Sequence, residues 1–215
     1  MLESTLAAHT AQSSGLPAAA VVAGCALVFT VASFWWLNAR QGRLKSYEPH
    51  SFAGVATEQL TVVRLPLVFY NTGPKPIVVQ NLQLRFPDEL DSLLPLPWRN
   101  SWPQLRPVSE ERAAMPAVFA VDGRKAEQQF IEFGAPFPGF VPQARDYTVA
   151  LEARLGHRKG WRPLLTFTLR IGNMISPSQY IAYSNSPRYL TEADREKANA
   201  ALEALAAKLA EQQSP

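Results

Sequence analysis

Cysteine and histidine are scarce in this chain of 215 residues: Cys25 is the only cysteine, and the histidines are His9, His50 and His157. A single cysteine cannot form a disulfide within the chain, so nothing requires an oxidising compartment. The histidines are far apart, and neither H-x-x-x-H nor C-x-x-C spacing occurs. The sequence therefore lacks the ligand spacings typical of zinc sites.

Motifs of nucleophilic and nucleotide-dependent catalysis are also missing. The chain has no G-x-S-x-G elbow, no P-loop and no G-x-G-x-x-G fingerprint. Cys25 lies in an apolar run without a histidine nearby, which does not favour a reactive thiolate. We therefore expect a protein that is not an enzyme and needs no cofactor. An enzyme whose site is assembled from scattered residues is the alternative, because the fold alone does not decide function.

Asp88, Glu89 and Asp91 form the densest carboxylate cluster of the sequence. A solvated loop after a strand is the expected structure of this segment, and calcium ligation by the three carboxylates is the alternative.

The positive charge is modest and unevenly placed. The formal net charge is +3, residues 1–37 carry only Glu3, residues 191–215 sum to −2, and residues 38–190 sum to +6. Lysines and arginines do not form runs interleaved with aromatic residues, so we expect no nucleic-acid partner.

Residues 16–37 form a run of 22 residues without a charge. Such a run is long enough for a helix across a hydrocarbon core of about 30 Å. It ends on Phe34, Trp35 and Trp36, which are typical of a membrane–water interface. A cleaved signal peptide and a buried soluble helix are the alternatives. The first is disfavoured because residues 1–15 contain no lysine or arginine and no A-x-A-like site follows.

Basic residues on one flank predict the orientation of this transmembrane helix. Arg40, Arg43 and Lys45 follow the run, and no basic residue precedes it. Because positive flanks stay cytoplasmic, we expect a single-pass protein of the cell membrane with an extracytoplasmic tail at 1–15 and the rest in the cytoplasm. The alternative is the reverse topology, with an exported domain that binds cell-envelope material.

Short β-rich runs and Pro/Gly-rich turns predict a β-sandwich over residues 58–183, after a juxtamembrane linker over 38–57. Period-two alternation is clearest over 147–155 and 165–171, which flank a predicted hairpin loop at 156–160. Residues 117–121 and 129–133 are predicted to pair around Asp122 and Gly123. Residues 87–114, with Trp98 and Trp102, are predicted to form a long loop over one end or edge.

The stretch LPLVFYNTGPKPIVVQNLQLRF, residues 65–86, makes three further predictions. Pro66 lacks a backbone donor and indicates an edge strand or a bulge. The apolar parity changes across Gln80 and Asn81, which predicts a β-bulge there. The polar connection is predicted to be a turn in which Asn71 and Gly73 tolerate positive φ.

Thr191 begins a predicted C-terminal amphipathic helix over 191–212, with a capping pattern and acidic residues in its first turn. Ala198, Leu202, Leu205 and Leu209 form an apolar stripe. This stripe either docks on the sandwich or pairs with another helix.

Asn71, Thr72 and Gly73 after one strand, with Asp146 and Tyr147 opening a later one, resemble bacterial immunoglobulin-like domains. The layout is similar to single-pass bacterial membrane proteins that carry one such domain, over roughly residues 58–183. The resemblance implies an immunoglobulin-like β-sandwich in which a tyrosine closes a corner by a hydrogen bond to backbone. The inter-sheet cysteine pair and the tryptophan of the second strand are absent, which excludes an antibody-type domain.

Two groups of side chains are the candidates for contact with lipid or with a protein partner. The basic group could bind anionic headgroups and the tryptophans could face a partner; a solvated turn and a self-capped core are the respective alternatives. The residues are Arg40, Arg43, Lys45, Arg158, Lys159 and Arg162, and Trp98 and Trp102. The sequence thus predicts a membrane-tethered interaction or scaffolding protein whose partners are the lipid bilayer and another protein.

Overall fold

The N-terminal part of the chain is one exposed apolar helix. The computed structural model describes residues 17–57, 60–89, 95–108, 112–136, 142–143, 145–187 and 191–213, and the chain divides into two units, Met1–Arg40 and Gln41–Pro215. Helix α1 (Ala18–Phe34) starts after Pro17 and continues through a π-helical turn, Trp35–Ala39. Together they form 22 residues, long and apolar enough to cross a membrane, and none of them is buried.

Strands dominate the second unit. Its described residues form β1 (Leu44–Ser46), β2 (Ser51–Ala56), β3 (Leu60–Asn71), β4 (Ile77–Arg85), β5 (Leu96–Trp102), β6 (Phe119–Val121), β7 (Ala126–Pro136), β8 (Asp146–Leu155), β9 (Trp161–Arg170) and β10 (Ile181–Ser184). A 3-10 turn (Ile171–Asn173) follows β9, and helix α2 (Glu192–Gln213) follows β10. The mainly β fold with a helix at each end confirms the predicted fold class.

The strands pair antiparallel in two sheets that share β5. The first sheet has the order β10-β2-β3-β7-β5, and β1 continues beside β2 along β3. The second has the order β4-β8-β9, with β6 and the start of β5 on the free side of β4. A single apolar core, drawn from both sheets, lies between them, as in a β-sandwich.

Alternation places the core residues where the sequence predicts them. Tyr147, Val149, Leu151, Ala153 and Leu155 of β8 are all buried. Strands β8 and β9 pair over the predicted hairpin, in which Gly160 has φ +74°. The period-two pattern therefore reports the buried face of this strand correctly.

The predicted bulge at Gln80 is confirmed. The register of β4 against β8 shifts between Val79 and Asn81, and Ile77, Val79, Leu82, Leu84 and Phe86 are all buried despite the change of parity. One extra residue turns both halves of the strand towards the core.

The edge position predicted for Pro66 is wrong. Strand β3 pairs with β7 on one side and with β2 and β1 on the other. Its pairing with β2 ends at Arg64 and its pairing with β1 starts at Phe69. Pro66 therefore lies opposite a break between two strands, where its missing N–H removes no ladder bond on that side.

Two predicted boundaries and one predicted strand pairing also need correction. The linker over 38–57 contains β1 and β2, so the sandwich begins before residue 58. The segment 87–114, predicted to be a loop, contains β5. Burial of the Leu96 and Trp98 side chains offsets the conformational entropy lost in ordering that segment. Residues 119–121 pair with β4 and not with β7, whose neighbours are β3 and β5.

Helix α2 docks on the sandwich in cis through its first half. The Asp194 N–H donates to Thr191 Oγ1 at 3.3 Å, which confirms the predicted N-cap. Ala198 and Leu202 are buried, and Leu202 belongs to the core. Leu205 is half-buried, and the side chain of Leu209 lies outside the described part of the structure.

Candidate functional site

One end of the sandwich collects basic side chains from four segments. These are the segments 41–46, 71–79, 121–127 and 154–163, which we call the basic end. The chain enters the second unit at this end, since Gln41 is its first residue. Backbone hydrogen bonds join the segments: Thr72 N to Arg43 O at 3.1 Å, Arg124 N to Gly73 O at 2.9 Å, and Gly156 N to Val78 O at 2.9 Å.

Asn71, at the end of β3, organises the basic end. Its side chain is fully buried. Nδ2 donates to Lys75 O at 2.8 Å and to Val121 O at 3.1 Å, and Oδ1 accepts the Gly73 N–H at 2.9 Å. One amide thus ties its own turn to the end of β6, using both donors and one acceptor.

Close backbone approach, and not positive φ, explains Gly73 and Gly123 of the basic end. A Cβ on Gly73 would lie 2.2 Å from the Gly42 backbone nitrogen, and one on Gly123 would lie 1.8 Å from the Pro74 carbonyl oxygen. The predicted turn is confirmed, because residues 72–76 connect β3 to β4, but neither Asn71 nor Gly73 is among the described residues with positive φ. The positive φ of 57° falls on Arg124 in the neighbouring turn.

The basic end carries nine basic and two acidic residues, a net charge of +7. All nine basic side chains are exposed: Arg43, Lys45, Lys75, Arg124, Lys125, Arg154, Arg158, Lys159 and Arg162. One of them, Lys125, pairs with Asp122 at 3.0 Å, and both partners are more than half exposed. Such a pair is screened by water and leaves the excess positive charge of this end in place.

The pKa of His157, at the tip of the β8–β9 hairpin, is lowered by partial burial and then by the adjacent charge of Arg158. Both effects disfavour the imidazolium form. His157 is therefore expected to be neutral near pH 7 and adds no charge to the basic end.

The structure brings together five of the six basic residues predicted to contact lipid. Arg43 and Lys45 lie at the same end as Arg158, Lys159 and Arg162. Arg40 belongs to the helical unit, where its guanidinium lies 3.9 Å from the centre of the Trp36 ring.

Sequence reasoning missed four basic residues of this end, Lys75, Arg124, Lys125 and Arg154. The pairing of β4 with β6 and β8 places Lys75, Arg124 and Lys125 beside the hairpin, whereas Arg154 belongs to β8 itself. The signal that could have identified them is that each of the four segments of the basic end contains at least one basic residue.

The two tryptophans predicted as partner contacts serve the interior of the domain. Trp98 is only 7% exposed, so it cannot be presented to a partner, and its Nε1 donates to Asn100 O at 3.1 Å. Trp102 is half-buried, and its ring centre lies 4.0 Å from the Arg64 guanidinium. Trp98 as an exposed contact is therefore wrong, because strand pairing of β5 turns it into the core.

A buried ion pair lies on the outer face of the first sheet. Arg64 and Glu132 are both buried, with Nη2 and Oε2 3.5 Å apart. The Tyr180 hydroxyl donates to Glu132 at 2.6 Å, and Arg64 donates to Tyr180 at 2.9 Å.

Burial raises the pKa of Tyr180, and its hydrogen bond to Glu132 raises it further. Arg64 also donates to the carbonyl of Gln104 at 3.0 Å, which fixes the segment after β5 to the sheet. The ion pair is enclosed in protein, and we assign it a structural role.

Carboxylates do not gather into a metal site in the part of the chain that the structure describes. Glu89 pairs with Arg145, and Asp91 lies outside the described residues. No group of three or more histidine, cysteine or acidic side chains converges among the described residues.

At least three cavities adjoin α2 among the described residues, and one of them, of about 420 Å³, lies between Gln143, Arg145 and the middle of the helix. A groove of about 540 Å³ lies between the turn at 175–179 and the second half of the helix, and Lys208 is the one ionisable side chain among its described lining residues. A third cavity, of about 320 Å³, lies near the start of β8. Its arginines each face a carboxylate: Arg145 and Glu89, Arg170 and Asp146, Arg195 and Glu192. That cavity is therefore electrically balanced, unlike the basic end.

Comparison with known proteins identifies no family. No family model matches the chain, and no curated protein matches it. Among solved structures, a protein from Archaeoglobus fulgidus is similar with 10% identity and a TM-score of 0.32, covering 67% of this chain and 97% of that one. β-Glucosidase 3B from Thermotoga neapolitana, in complex with glucose, is similar with 11% identity and a TM-score of 0.23, covering 66% of this chain and 17% of that one.

Proposed function

We propose that the protein is a membrane-tethered interaction or scaffolding module, in which α1 spans the membrane and the sandwich lies on the cytoplasmic side. The helix carries this proposal. Its 22 residues include no charged side chain, and none of them is buried. A helix that is apolar on all sides needs an apolar surrounding, and a bilayer supplies one at this length.

The proposed sandwich is immunoglobulin-like. Two runs of strand neighbours, β2-β3-β7-β5 and β4-β8-β9, match the four-plus-three order of a constant-type immunoglobulin sandwich. The Gln143 N–H donates to Tyr147 Oη at 2.7 Å, near the start of β8, where such domains have their tyrosine corner. Strand β10 beside β2 and the short β6 beside β4 are additions to that order.

The cytoplasmic placement is supported by charge. Arg40, Arg43 and Lys45 follow the helix within six residues of Ala39, whereas residues 1–17 hold no lysine or arginine. Basic residues close to a span stay on the cytoplasmic side because their transfer across the bilayer is disfavoured.

The binding role is supported by features of the exposed surface and not by an enclosed pocket. The excess positive charge of the second unit lies on an exposed end, and the largest of the described grooves beside α2 is lined by apolar and uncharged polar residues and a single lysine. These are features through which a domain contacts other molecules.

Two experiments test this proposal on the full chain. Resistance to alkaline extraction tests the tether, and a dual reporter added after Pro215 tests the topology. We expect the protein to stay in the membrane pellet and the reporter to be active on the cytoplasmic side. Periplasmic or external activity would instead favour the exported, envelope-binding alternative. Truncation of α2 is unsuitable, because Leu202 is part of the core.

The interaction role is tested separately by photo-crosslinking in membranes. A crosslinker at Ala204, in the larger groove, should give a discrete adduct that is absent with the crosslinker at Gln128, an exposed residue of β7. Adducts at neither position would remove the support for a protein partner at the groove while leaving the tether.

A further inference from the structure

We propose that the basic end is a docking surface for an anionic lipid bilayer, with headgroup phosphates as its ligands. This inference rests on the proposed function, because the span must hold the sandwich beside a bilayer.

Charge separation within the second unit is the first observation. The basic end has a net charge of +7, whereas the remainder of Gln41–Pro215 sums to −4. All nine basic side chains are exposed. A surface of one sign on a domain of otherwise opposite charge is attracted to an anionic plane and oriented by it.

Pre-organisation of the loops is the second observation. The Asn71 amide, the backbone bond from Gly156 to Val78 and the close approach of Gly42 to Gly73 hold the connections together. Docking therefore requires little ordering of the backbone, and most of the electrostatic attraction is retained as binding.

Position along the chain is the third observation. Arg43 follows Ala39, the last helical residue, by four positions. Four residues of extended chain reach about 14 Å at most. The basic end is the end at which the chain enters the sandwich, so the tether holds it within reach of the headgroups.

Side-chain chemistry at this end favours a lipid surface over nucleic acid. Single-stranded nucleic acid is bound through several stacking aromatics between basic residues. The basic end has one exposed large aromatic residue, Trp161, which is 39% exposed. An isolated tryptophan beside lysine and arginine suits the membrane–water interface.

The test uses the full chain in nanodiscs, so that both faces of the bilayer have the same lipid. In a Cys25→Ala background, His157→Cys receives a fluorophore at the hairpin tip, and Ser186→Cys provides a second labelled protein. Ser186 follows β10, outside the four segments of the basic end, and is exposed. Headgroup-labelled quencher lipids report contact with the bilayer.

We expect quenching at position 157 in phosphatidylglycerol nanodiscs at 0.15 M salt, and its loss in phosphatidylcholine or at 1 M salt. Position 186 should remain unquenched throughout. Equal quenching at position 157 in both lipids would overturn the inference.

Matched variants then test the named charges. The triple variant Lys75→Gln, Lys159→Gln, Arg162→Gln should lower the ratio of docked to undocked protein about 100-fold. The control triple Arg99→Gln, Arg106→Gln, Lys197→Gln removes as many exposed charges from other segments and should leave that ratio within about 2-fold of the parent. Equal effects of the two sets would contradict a specific basic end.

Three further outcomes separate the alternatives. Retardation of RNA or DNA by the full chain, lost in the first triple variant without a dependence on lipid charge, would overturn the lipid assignment in favour of nucleic acid. Failure of the protein to enter nanodiscs would overturn the proposed tether, and this inference with it. Insertion without quenching at position 157 would overturn only the inference.

Discussion

Asn71 provides the sharpest test of how the basic end is built. The substitution Asn71→Ala removes three hydrogen bonds, to Gly73, Lys75 and Val121. Each bond contributes about 1 kcal/mol net, and a buried group left without a partner costs about 1–3 kcal/mol. Since water can reach the exposed side of the turn at Lys75, we expect a loss of about 3 kcal/mol in the free energy of unfolding.

The assay is urea unfolding of the full chain in detergent micelles, followed by tryptophan fluorescence, in which the buried Trp98 reports on the core. With a slope of about 2 kcal/mol per molar urea, the expected loss shifts the midpoint by about 1.5 M. Gln80→Ala, at an exposed position of the β4 bulge, is the matched control and should change stability by less than about 0.5 kcal/mol.

Asn71→Asp separates hydrogen bonding from shape. It preserves the acceptor for the Gly73 N–H but places an oxygen where Nδ2 faces the carbonyls of Lys75 and Val121. The Asp variant should be at least as unstable as the Ala variant. Midpoints of both variants within about 0.2 M of the parent would refute the role assigned to the Asn71 amide.

Three other predictions concern the rest of the sandwich. Leu202→Ala should lower the free energy of unfolding, measured by urea titration, by about 3 kcal/mol, because Leu202 is buried in the core. The same substitution at the half-buried Leu205 is the control. Equal losses for the two variants would contradict docking of α2 in cis. Glu132→Ala should cost about 3–5 kcal/mol by the same titration, because it leaves the Arg64 charge buried without a counter-ion; a change below 1 kcal/mol would exclude a dry ion pair. Burial raises the pKa of Tyr183 to about 12. Because this folded-state pKa is above the ordinary value of about 10, the contribution of Tyr183 to stability is complete below pH 10 and is lost as pH rises through 12. Urea midpoints of the parent and of Tyr183→Phe at pH 9 and pH 11 should show the steeper fall for the parent, and parallel falls would contradict a buried phenol.

Local sequence signals predicted the parts of the fold that depend on neighbouring residues. Alternation in β8 and the parity change at Gln80 correctly report the buried faces, because side-chain direction follows from the period of a strand. The capping pattern at Thr191 was sufficient for the start of α2 for the same reason: its hydrogen bond reaches only three residues.

Pairing partners could not be predicted in this way. Strand β5 and the place of β6 beside β4 depend on contacts between distant segments, and single-sequence patterns contain no record of them. Trp98 illustrates the consequence: in a segment rich in proline it resembled an exposed contact, but pairing with β7 turns it inwards.

The candidate site shows the same division. The sequence shows the charge close to the proposed span, at Arg43 and Lys45, and the charge on the hairpin, at Arg158 and Lys159. These residues come together with Lys75 at one end only through tertiary hydrogen bonds around Asn71. The Asn71 side chain binds Val121, which is 50 positions away in the sequence. Asn71 and Gly73 were correctly predicted to form a turn, but their contacts with Val121 and Gly42, which join three segments, were not predicted.

The most direct test of the membrane tether uses Cys25, the single cysteine of the chain. It lies at the eighth residue of α1, about 10 Å along the helix from Ala18, and its side chain is exposed in the isolated chain. Modification by a charged, membrane-impermeant maleimide is measured by mass shift in membranes opened by freeze–thaw, before and after denaturation in SDS. The proposed span predicts no labelling in the membrane and full labelling in SDS. Equal labelling before and after denaturation would place Cys25 in water and contradict the tether.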